Sequence, residues 1–291
     1  DGIRDSVASR GLGDVYKRQA HHFPFADHAL TTSWLTPVYV GSIILVNNRD
    51  ESKGPSKGEN MPEIRQNRAK HMLQRNEPVI AVSCSDPDVV DMMGSFGTVD
   101  CIWIEMEHGP VTWAQLSDLS RACDLWGMTS LVRVNANEPG LIGRALDRGV
   151  QTVLVPHVNT KEEAERVVHG AKFAPEGMRG MGGSRQGLGV ADYVRSANDE
   201  IMVVILIEDI VAVNNLSDIL EVDGIDCLMV VPGDLSQSMG PEYLGRSEHP
   251  DVQAVIEKAM KQIVAAGRAT GSTANDNYID CLLYTSDAAD E

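Results

Sequence analysis

Short apolar runs alternate with longer amphipathic stretches along the chain from Met61 onward. The spacing of apolar residues predicts an amphipathic helix over Pro62 to Asn76. Seven apolar runs follow, separated by stretches with helical periodicity: VIAVSC (79–84), CIWIEME (101–107), TSLVRV (129–134), TVLVP (152–156), MVVILIED (202–209), CLMVVP (227–232) and RATGSTA (268–274). Strands that are apolar on both faces and joined by helices indicate a parallel sheet.

Seven strand and helix units predict an α/β fold, a (β/α)8 TIM barrel rather than a doubly wound sheet. An eighth strand should follow a helix that begins near Asn275, where the regular pattern stops. We therefore expect a barrel truncated before the eighth strand, with an open seam between residues 79–84 and 268–274. The unpaired edges at such a seam would make the purified chain inactive or prone to aggregation.

The two ends of the chain have the character of foreign sequence. The segments DVYKRQ (14–19) and CLLYTS (281–286) can be encoded by one DNA element read in opposite directions, as a translated sequencing adapter would be. The segment SKGEN before Met61 can be encoded by a purine-rich tract that is similar to a ribosome-binding site.

The composition of the two ends predicts that the chain is divided into three regions. Residues 1–60 are expected to be a non-native or disordered leader, adapter-derived over 1–19, and residues 281–291 an adapter-derived tail. Residues 61–280 form the incomplete barrel domain. The alternative for residues 20–60 is a genuine but poorly structured extension, since polar tails occur at chain termini.

Composition and charge favour a small molecule as the partner. The net charge of -17 argues against nucleic acid and anionic membranes, which need clustered Lys and Arg. The five cysteines show no CxxC spacing, so neither a zinc site nor a disulfide framework is indicated, and a reducing cytoplasm fits best. No apolar run reaches the roughly 20 residues of a membrane-spanning helix.

Titratable side chains are concentrated where the predicted strands end. They are Glu105, Glu107 and His108 after the second strand, Arg133 on the third, Glu208 and Asp209 after the fifth, and Asp234 after the sixth. Because the carboxyl ends of barrel strands share one mouth, and the chemistry of such barrels lies there, these residues are expected to converge. Solvated strand ends and helix caps are the alternative reason for such residues at these positions.

Glu208 and Asp234 are candidates to bind one hard divalent cation, Mg2+ or Mn2+, with Co2+ or Zn2+ as alternatives. The open alternatives are that Asp234 caps a turn and that Glu208 pairs with Arg133. His108 is a candidate general base, since histidine titrates near neutrality, although a solvated histidine in a surface turn is equally compatible with the sequence.

Asp147 stands in the last turn of a predicted helix, where the helix dipole disfavours a negative charge. It could hold the imidazole of His108, or it could pair with Arg144 or Arg148. The glycine-rich segment 177–189 is not a dinucleotide fingerprint, because no strand precedes it. It is predicted to be a mobile active-site loop that offers Arg179 and Arg185 to anionic substrates.

The segments IEMEHGP, LVRVN, TVLVPHVNTKEEAERVV, PEGMRGMGG, IEDIVAVNNL and VVPGDLSQSMG resemble, in order and spacing, the HpcH/HpaI aldolases. The resemblance spans about Pro62 to Asp280 and implies a barrel of the phosphoenolpyruvate/pyruvate type and a homo-oligomer. It implies divalent-metal-dependent cleavage of a 4-hydroxy-2-oxo acid to pyruvate and an aldehyde through a pyruvate enolate, without a Schiff-base lysine.

The resemblance also implies residue roles. His108 would be the base, Asp147 would raise its basicity, and Arg133 would stabilise the enolate. Glu208 and Asp234 would hold the metal, and the backbone of Gly233 and Asp234 would bind the pyruvate carboxylate.

Two positions depart from many members of this family. Glu105 stands where many relatives have Asp, and Leu206 stands at a substrate-binding position where the heptanedioate enzymes have Gln. The identity of the aldehyde is therefore open. The alternatives to an aldolase are a citrate or malyl-CoA type lyase, which the acidic chain disfavours, and a noncatalytic barrel that serves as a binding module.

Overall fold

The computed structural model describes residues 42–46, 64–190 and 192–273. All seven predicted strands are present, and each pairs in parallel with the next, which confirms the α/β barrel. An additional strand precedes them. The strands are β1 (Ser42–Val46), β2 (Val79–Ser83), β3 (Cys101–Glu105), β4 (Thr129–Arg133), β5 (Thr152–Val155), β6 (Met202–Ile207), β7 (Cys227–Val230) and β8 (Ala269–Thr273).

Helices connect the parallel strands and cover the outside of the sheet. They are α1 (Arg68–Gln74), α2 (Pro87–Phe96), α3 (Trp113–Leu125), α4 (Pro139–Asp147), α5 (Lys161–Ala171), α6 (Tyr193–Glu200), α7 (Ile210–Asn214), α8 (Leu216–Ile219), α9 (Pro232–Met239) and α10 (Pro250–Ala265). None of the helices within the described part of the chain is long and apolar enough to cross a membrane.

Local sequence explains where the helices begin. The carboxylate of Asp86 accepts hydrogen bonds from the first turn of α2, and Thr160 and Glu163 form a capping box at the start of α5. Proline occupies the first turn of α2, α4, α9 and α10, where its missing N–H removes no helical hydrogen bond. The helices α2, α4, α5 and α9 each begin within six residues of a strand end, which keeps the loops at the barrel mouth short, whereas α10 follows α9.

The open seam predicted beside β2 and β8 is wrong. β1 pairs antiparallel with both of these strands and closes the barrel, with Ile44 opposite Ile80 on one side and Ser272 on the other. Unpaired edge strands expose backbone N–H and C=O groups that can pair with another extended segment. The run SIILV is that segment in this chain. The remaining residues of the predicted leader (1–60) and tail (281–291) lie outside the described residues.

We expect Ile44→Pro to lower the melting temperature and the soluble yield, because proline cannot donate a ladder hydrogen bond to either neighbour. A loss of about 1–3 kcal/mol would lower the melting temperature by several degrees. Differential scanning calorimetry tests this, with Ile44→Val as the matched control. Equal melting of wild type and Ile44→Pro would show that β1 contributes nothing to the folded barrel.

The amino-terminal end of the barrel is closed by α1 and a buried polar network. The side chain of Asn67 donates to the carbonyl oxygens of Gln151 and Glu200 and to Thr152 Oγ1, at 3.0–3.1 Å. Nearby, Lys172 Nζ donates to the carbonyl oxygens of Asn198 (2.5 Å) and Ile201 (2.8 Å). The polar and charged side chains at the amino-terminal end of the barrel are therefore paired within the fold. The mouth at the carboxyl ends of the strands is left for function.

Burial lowers the pKa of Lys172 to about 8, and the nearby positive charge of Lys70 acts in the same direction. The unfolded chain therefore binds more protons than the folded protein between pH 8 and the ordinary lysine value of 10.5. Stability must rise with pH across that window, by roughly 1–3 kcal/mol. Urea unfolding at several pH values should show this rise in wild type and not in Lys172→Met; identical profiles would contradict it.

Candidate active site at the barrel mouth

The carboxylate of Glu105, at the end of β3, organises one side of the mouth. Its Oε1 accepts hydrogen bonds from the backbone N–H groups of Glu107 (2.7 Å) and His108 (3.0 Å). Its Oε2 accepts from Arg133 Nε at 2.6 Å. One side chain therefore holds both the turn that carries His108 and the guanidinium at the end of β4.

Glu107 extends this network toward the centre of the mouth. Its Oε2 lies 3.2 Å from Arg133 Nε and 3.9 Å from His108 Nε2. The Glu107 and Arg133 side chains are mostly buried, whereas the side chain of His108 is 68% exposed. The imidazole of His108 is therefore accessible from solvent and stands beside a carboxylate, as a proton-transfer group requires.

Glu208 follows β6 directly and is only 2% exposed. Its Oε1 accepts a hydrogen bond from the backbone N–H of His157 (2.8 Å) and lies 3.2 Å from His157 Nδ1. Burial raises the pKa of Glu208, and the charges of Asp234 and Glu107 raise it further. The negative charge of Asp234 therefore acts on Glu208.

The mouth carries an excess of negative charge. Arg133 contacts two carboxylates, those of Glu105 and Glu107, and Glu208 is influenced by the negative charges of Glu107 and Asp234. A divalent cation would neutralise the repulsion around Glu208, and carboxylate oxygens suit a hard cation. Among the described residues no three ligand-type side chains already surround one point, so substrate oxygens, water or a rotated side chain must complete the coordination.

The start of α9 supplies backbone donors to the same mouth. Gly233 and Asp234 are in the first turn, where N–H groups have no acceptor inside the helix. A Cβ at Gly233 would meet nothing within 4 Å, so a ligand can approach this backbone. The alternative of a capping role for Asp234 is not observed, because the N-cap is Val231 and no side chain caps the helix.

The floor of the mouth is apolar. Leu206 is fully buried with Trp103 and Met229 inside the barrel, so it shapes the floor and has no surface with which to contact a substrate. The guanidinium of Arg133 lies 5.4 Å from the centre of the Trp103 ring. Trp103 Nε1 is buried without a hydrogen-bond partner within the described residues.

A family model described as HpcH/HpaI aldolase/citrate lyase matches residues 80–289. The chain belongs to this family. It is 36% identical over 220 residues to a hydroxypyruvate/pyruvate aldolase of Agrobacterium fabrum, covering 73% of this chain and 82% of the relative. It is 39% identical over 192 residues to a 2-keto-3-deoxy-L-rhamnonate aldolase of Klebsiella pneumoniae, covering 64% and 71% of the two chains.

A solved structure supports the same assignment. The crystal structure of an HpcH/HpaI aldolase/citrate lyase family protein from Burkholderia cenocepacia superposes with a TM-score of 0.65 at 30% identity, covering 70% of this chain and 83% of that chain. The resemblance predicted from the sequence is thereby confirmed. This HpcH/HpaI protein is an enzyme of the carbon–carbon lyase class, and its family depends on a divalent metal.

Asp147 does not meet His108 within this HpcH/HpaI chain. It is the last residue of α4, which returns from the mouth to the amino-terminal end and is about 14 Å long. Its Oδ1 accepts a hydrogen bond from Arg179 Nη2 at 2.6 Å. Among the described residues Asp147 pairs with Arg179 and forms no ion pair with His108, Arg144 or Arg148, so its predicted role toward His108 stays a prediction.

The prediction that segment 177–189 offers Arg179 and Arg185 to a substrate is wrong within this chain. The Arg179 side chain is almost fully buried between Asp147 and the ring of Phe173. Arg185 pairs with Asp124 at 2.7 Å and donates to the carbonyl of Gly149. Both arginines are used to attach this segment near the amino-terminal end of the barrel, so neither is available to a substrate at the mouth.

His157 is the mouth residue that the sequence analysis missed. It follows Pro156 at the end of β5, and its Nε2 lies 3.6 Å from Glu107 Oε1. Its φ of 54° is in the left-handed region, which is strained for a side chain other than glycine and concentrates at functional positions. The available signal was its position, since a titratable residue follows the β5 strand just as others follow β3 and β6.

Proposed function

We propose that this enzyme cleaves a 4-hydroxy-2-oxo acid to pyruvate and an aldehyde, and catalyses the reverse aldol addition, with a divalent cation as cofactor. The observation that carries the proposal is the arrangement of the mouth. An accessible imidazole, His108, and a guanidinium, Arg133, lie on one side, and the desolvated carboxylate of Glu208 with Asp234 lies on the other. The relatives are named as aldolases of this kind.

Each side chain has a separate task in this reaction. His108 takes the proton of the 4-hydroxyl group, directly or through a water, as the bond between C3 and C4 breaks. Arg133 stabilises the charge that develops on the enolate oxygen, and Glu105 and Glu107 hold its guanidinium in place. The N–H groups of Gly233 and Asp234 at the start of α9 bind the carboxylate of the oxo acid.

Glu208 and Asp234 would hold the cation, which when bound polarises the oxo group of the substrate. Their oxygen donors favour Mg2+ or Mn2+, with Co2+ or Zn2+ as the alternatives. We further propose, from the family, a homo-oligomer in the cytoplasm. The free, buried thiols of Cys84, Cys101, Cys123 and Cys227 support a reducing compartment.

Release of pyruvate from a panel of 4-hydroxy-2-oxo acids, coupled to lactate dehydrogenase, tests this function directly. We expect turnover with Mg2+ or Mn2+ and none after chelation of the cation. The reverse reaction, pyruvate or hydroxypyruvate with assorted aldehydes, identifies the acceptor. Turnover of CoA thioesters without turnover of any 4-hydroxy-2-oxo acid would instead favour a lyase of the citrate type, and absence of cation binding would favour a noncatalytic barrel.

A further inference from the structure

The proposed cation site rests on two carboxylates, yet the structure places an imidazole beside one of them. His157 Nδ1 lies 3.2 Å from Glu208 Oε1. Adjacent ligand atoms on an octahedral ion with bonds of about 2.1 Å are separated by about 3.0 Å, and on a tetrahedral ion by about 3.4 Å. The separation therefore allows one cation to bind Glu208 Oε1 and His157 Nδ1 together.

The backbone holds the imidazole in this position. The left-handed φ of His157 turns its N–H toward Glu208, where it donates to the same Oε1 at 2.8 Å. The backbone N–H and the side chain of His157 therefore both contact the carboxylate of Glu208. A histidine with only a packing role would not need either, and this side chain is 62% exposed.

The second ring nitrogen has an acidic partner. His157 Nε2 lies 3.6 Å from Glu107 Oε1, and the Glu107 side chain is only 10% exposed. A carboxylate at one nitrogen and a metal at the other is the usual surrounding of a metal-binding histidine, because the carboxylate selects the tautomer and increases the donor strength of the free nitrogen. Glu107 can do this for His157 once the 3.6 Å separation shortens to a hydrogen bond with the proton on Nε2.

We propose that His157 is a third protein ligand of the cation, through Nδ1, and that it directs the site toward Mn2+, Co2+ or Zn2+ rather than Mg2+. Imidazole nitrogen suits transition metals, whereas Mg2+ prefers oxygen donors. Asp234 is half-buried and makes no hydrogen bond or ion pair in the described structure, so it can turn toward an ion held by Glu208 and His157. This inference rests on the proposed function of the site.

The test measures cation binding without substrate, by calorimetry with Co2+ and with Mg2+ on the full chain. His157→Asn is the main variant, because asparagine tolerates the left-handed backbone and replaces the nitrogen donor with an amide. We expect its dissociation constant for Co2+ to rise at least about tenfold, and that for Mg2+ to change less than about threefold. His108→Ala, in the same mouth, is the matched control and should keep both constants within about threefold of wild type.

Two outcomes would overturn the inference. Tighter Co2+ binding by His157→Asn would show that the imidazole competes with the ion for Glu208, and equal weakening for both metals would show that it only positions Glu208. Pulsed EPR of wild type with Mn2+ needs no variant: we expect the coupling of a directly bound nitrogen, and its absence rejects the ligand. Failure of wild type to bind any cation would instead reject the proposed function.

Discussion

His108→Ala is expected to lower kcat for aldol cleavage by about 10²–10⁴-fold while cation affinity stays within about threefold of wild type. The imidazole stands at the mouth, where its Nε2 lies 3.9 Å from Glu107 Oε2, and among the described residues it forms no ion pair with Glu208. The variant therefore removes proton transfer and leaves the carboxylates that hold the ion. Pyruvate release and calorimetry with the same cation measure the two effects.

The matched control is His169→Ala, which removes an exposed histidine on α5, outside the mouth. It should retain wild-type turnover. Equal loss of cation affinity in His108→Ala and Glu208→Gln would show that His108 is a ligand rather than a base. Full turnover by His108→Ala would transfer the role of base to another group.

Glu208→Gln is expected to abolish cation binding and turnover and to raise the melting temperature of the metal-free protein. Burial raises the pKa of Glu208, so its ionised form is less favourable in the folded protein than in the unfolded chain. This cost is absent below the ordinary value of 4.5, grows as pH rises toward the folded pKa, and is constant above it. At pH 7 glutamine removes it, and each kcal/mol gained raises the melting temperature by about 2–4 °C.

Calorimetric melting at pH 7 in the presence of a chelator measures the stability effect, and cation titration measures the functional one. Glu165→Gln, on the exposed face of α5, is the control for loss of one carboxylate and should change neither. A lower melting temperature for Glu208→Gln would indicate that the contacts to His157 stabilise the fold more than burial of the charge destabilises it. Retained cation binding would remove Glu208 from the site.

The seven parallel strands and the mouth residues could be predicted from the sequence. Strands buried on both faces must be apolar throughout, so their runs and their polar ends are visible in the chain itself. Glu107, His108, Arg133 and Glu208 could be assigned to one mouth because every parallel strand of a barrel ends at the same face. These assignments depend only on local pattern and on a rule that applies to all barrels.

Pairings between distant segments were decided by the tertiary structure. The run SIILV has the residues of a strand, but only the unpaired edges of β2 and β8 determine that it closes the barrel in the antiparallel direction. Asp147 and His108 had suitable chemistry for a pair, yet the direction of α4 carries Asp147 to the other end, where Arg179 binds it.

The position of the His157 side chain also could not be predicted from the sequence. Its contact with Glu208 requires a left-handed backbone that no residue pattern specifies, since histidine rarely adopts it without support from its surroundings. The sequence by itself thus determined which elements form and which end of each strand carries chemistry. The partners of individual charges depended on three-dimensional proximity, because ion pairs and hydrogen bonds form between groups that only folding brings within reach.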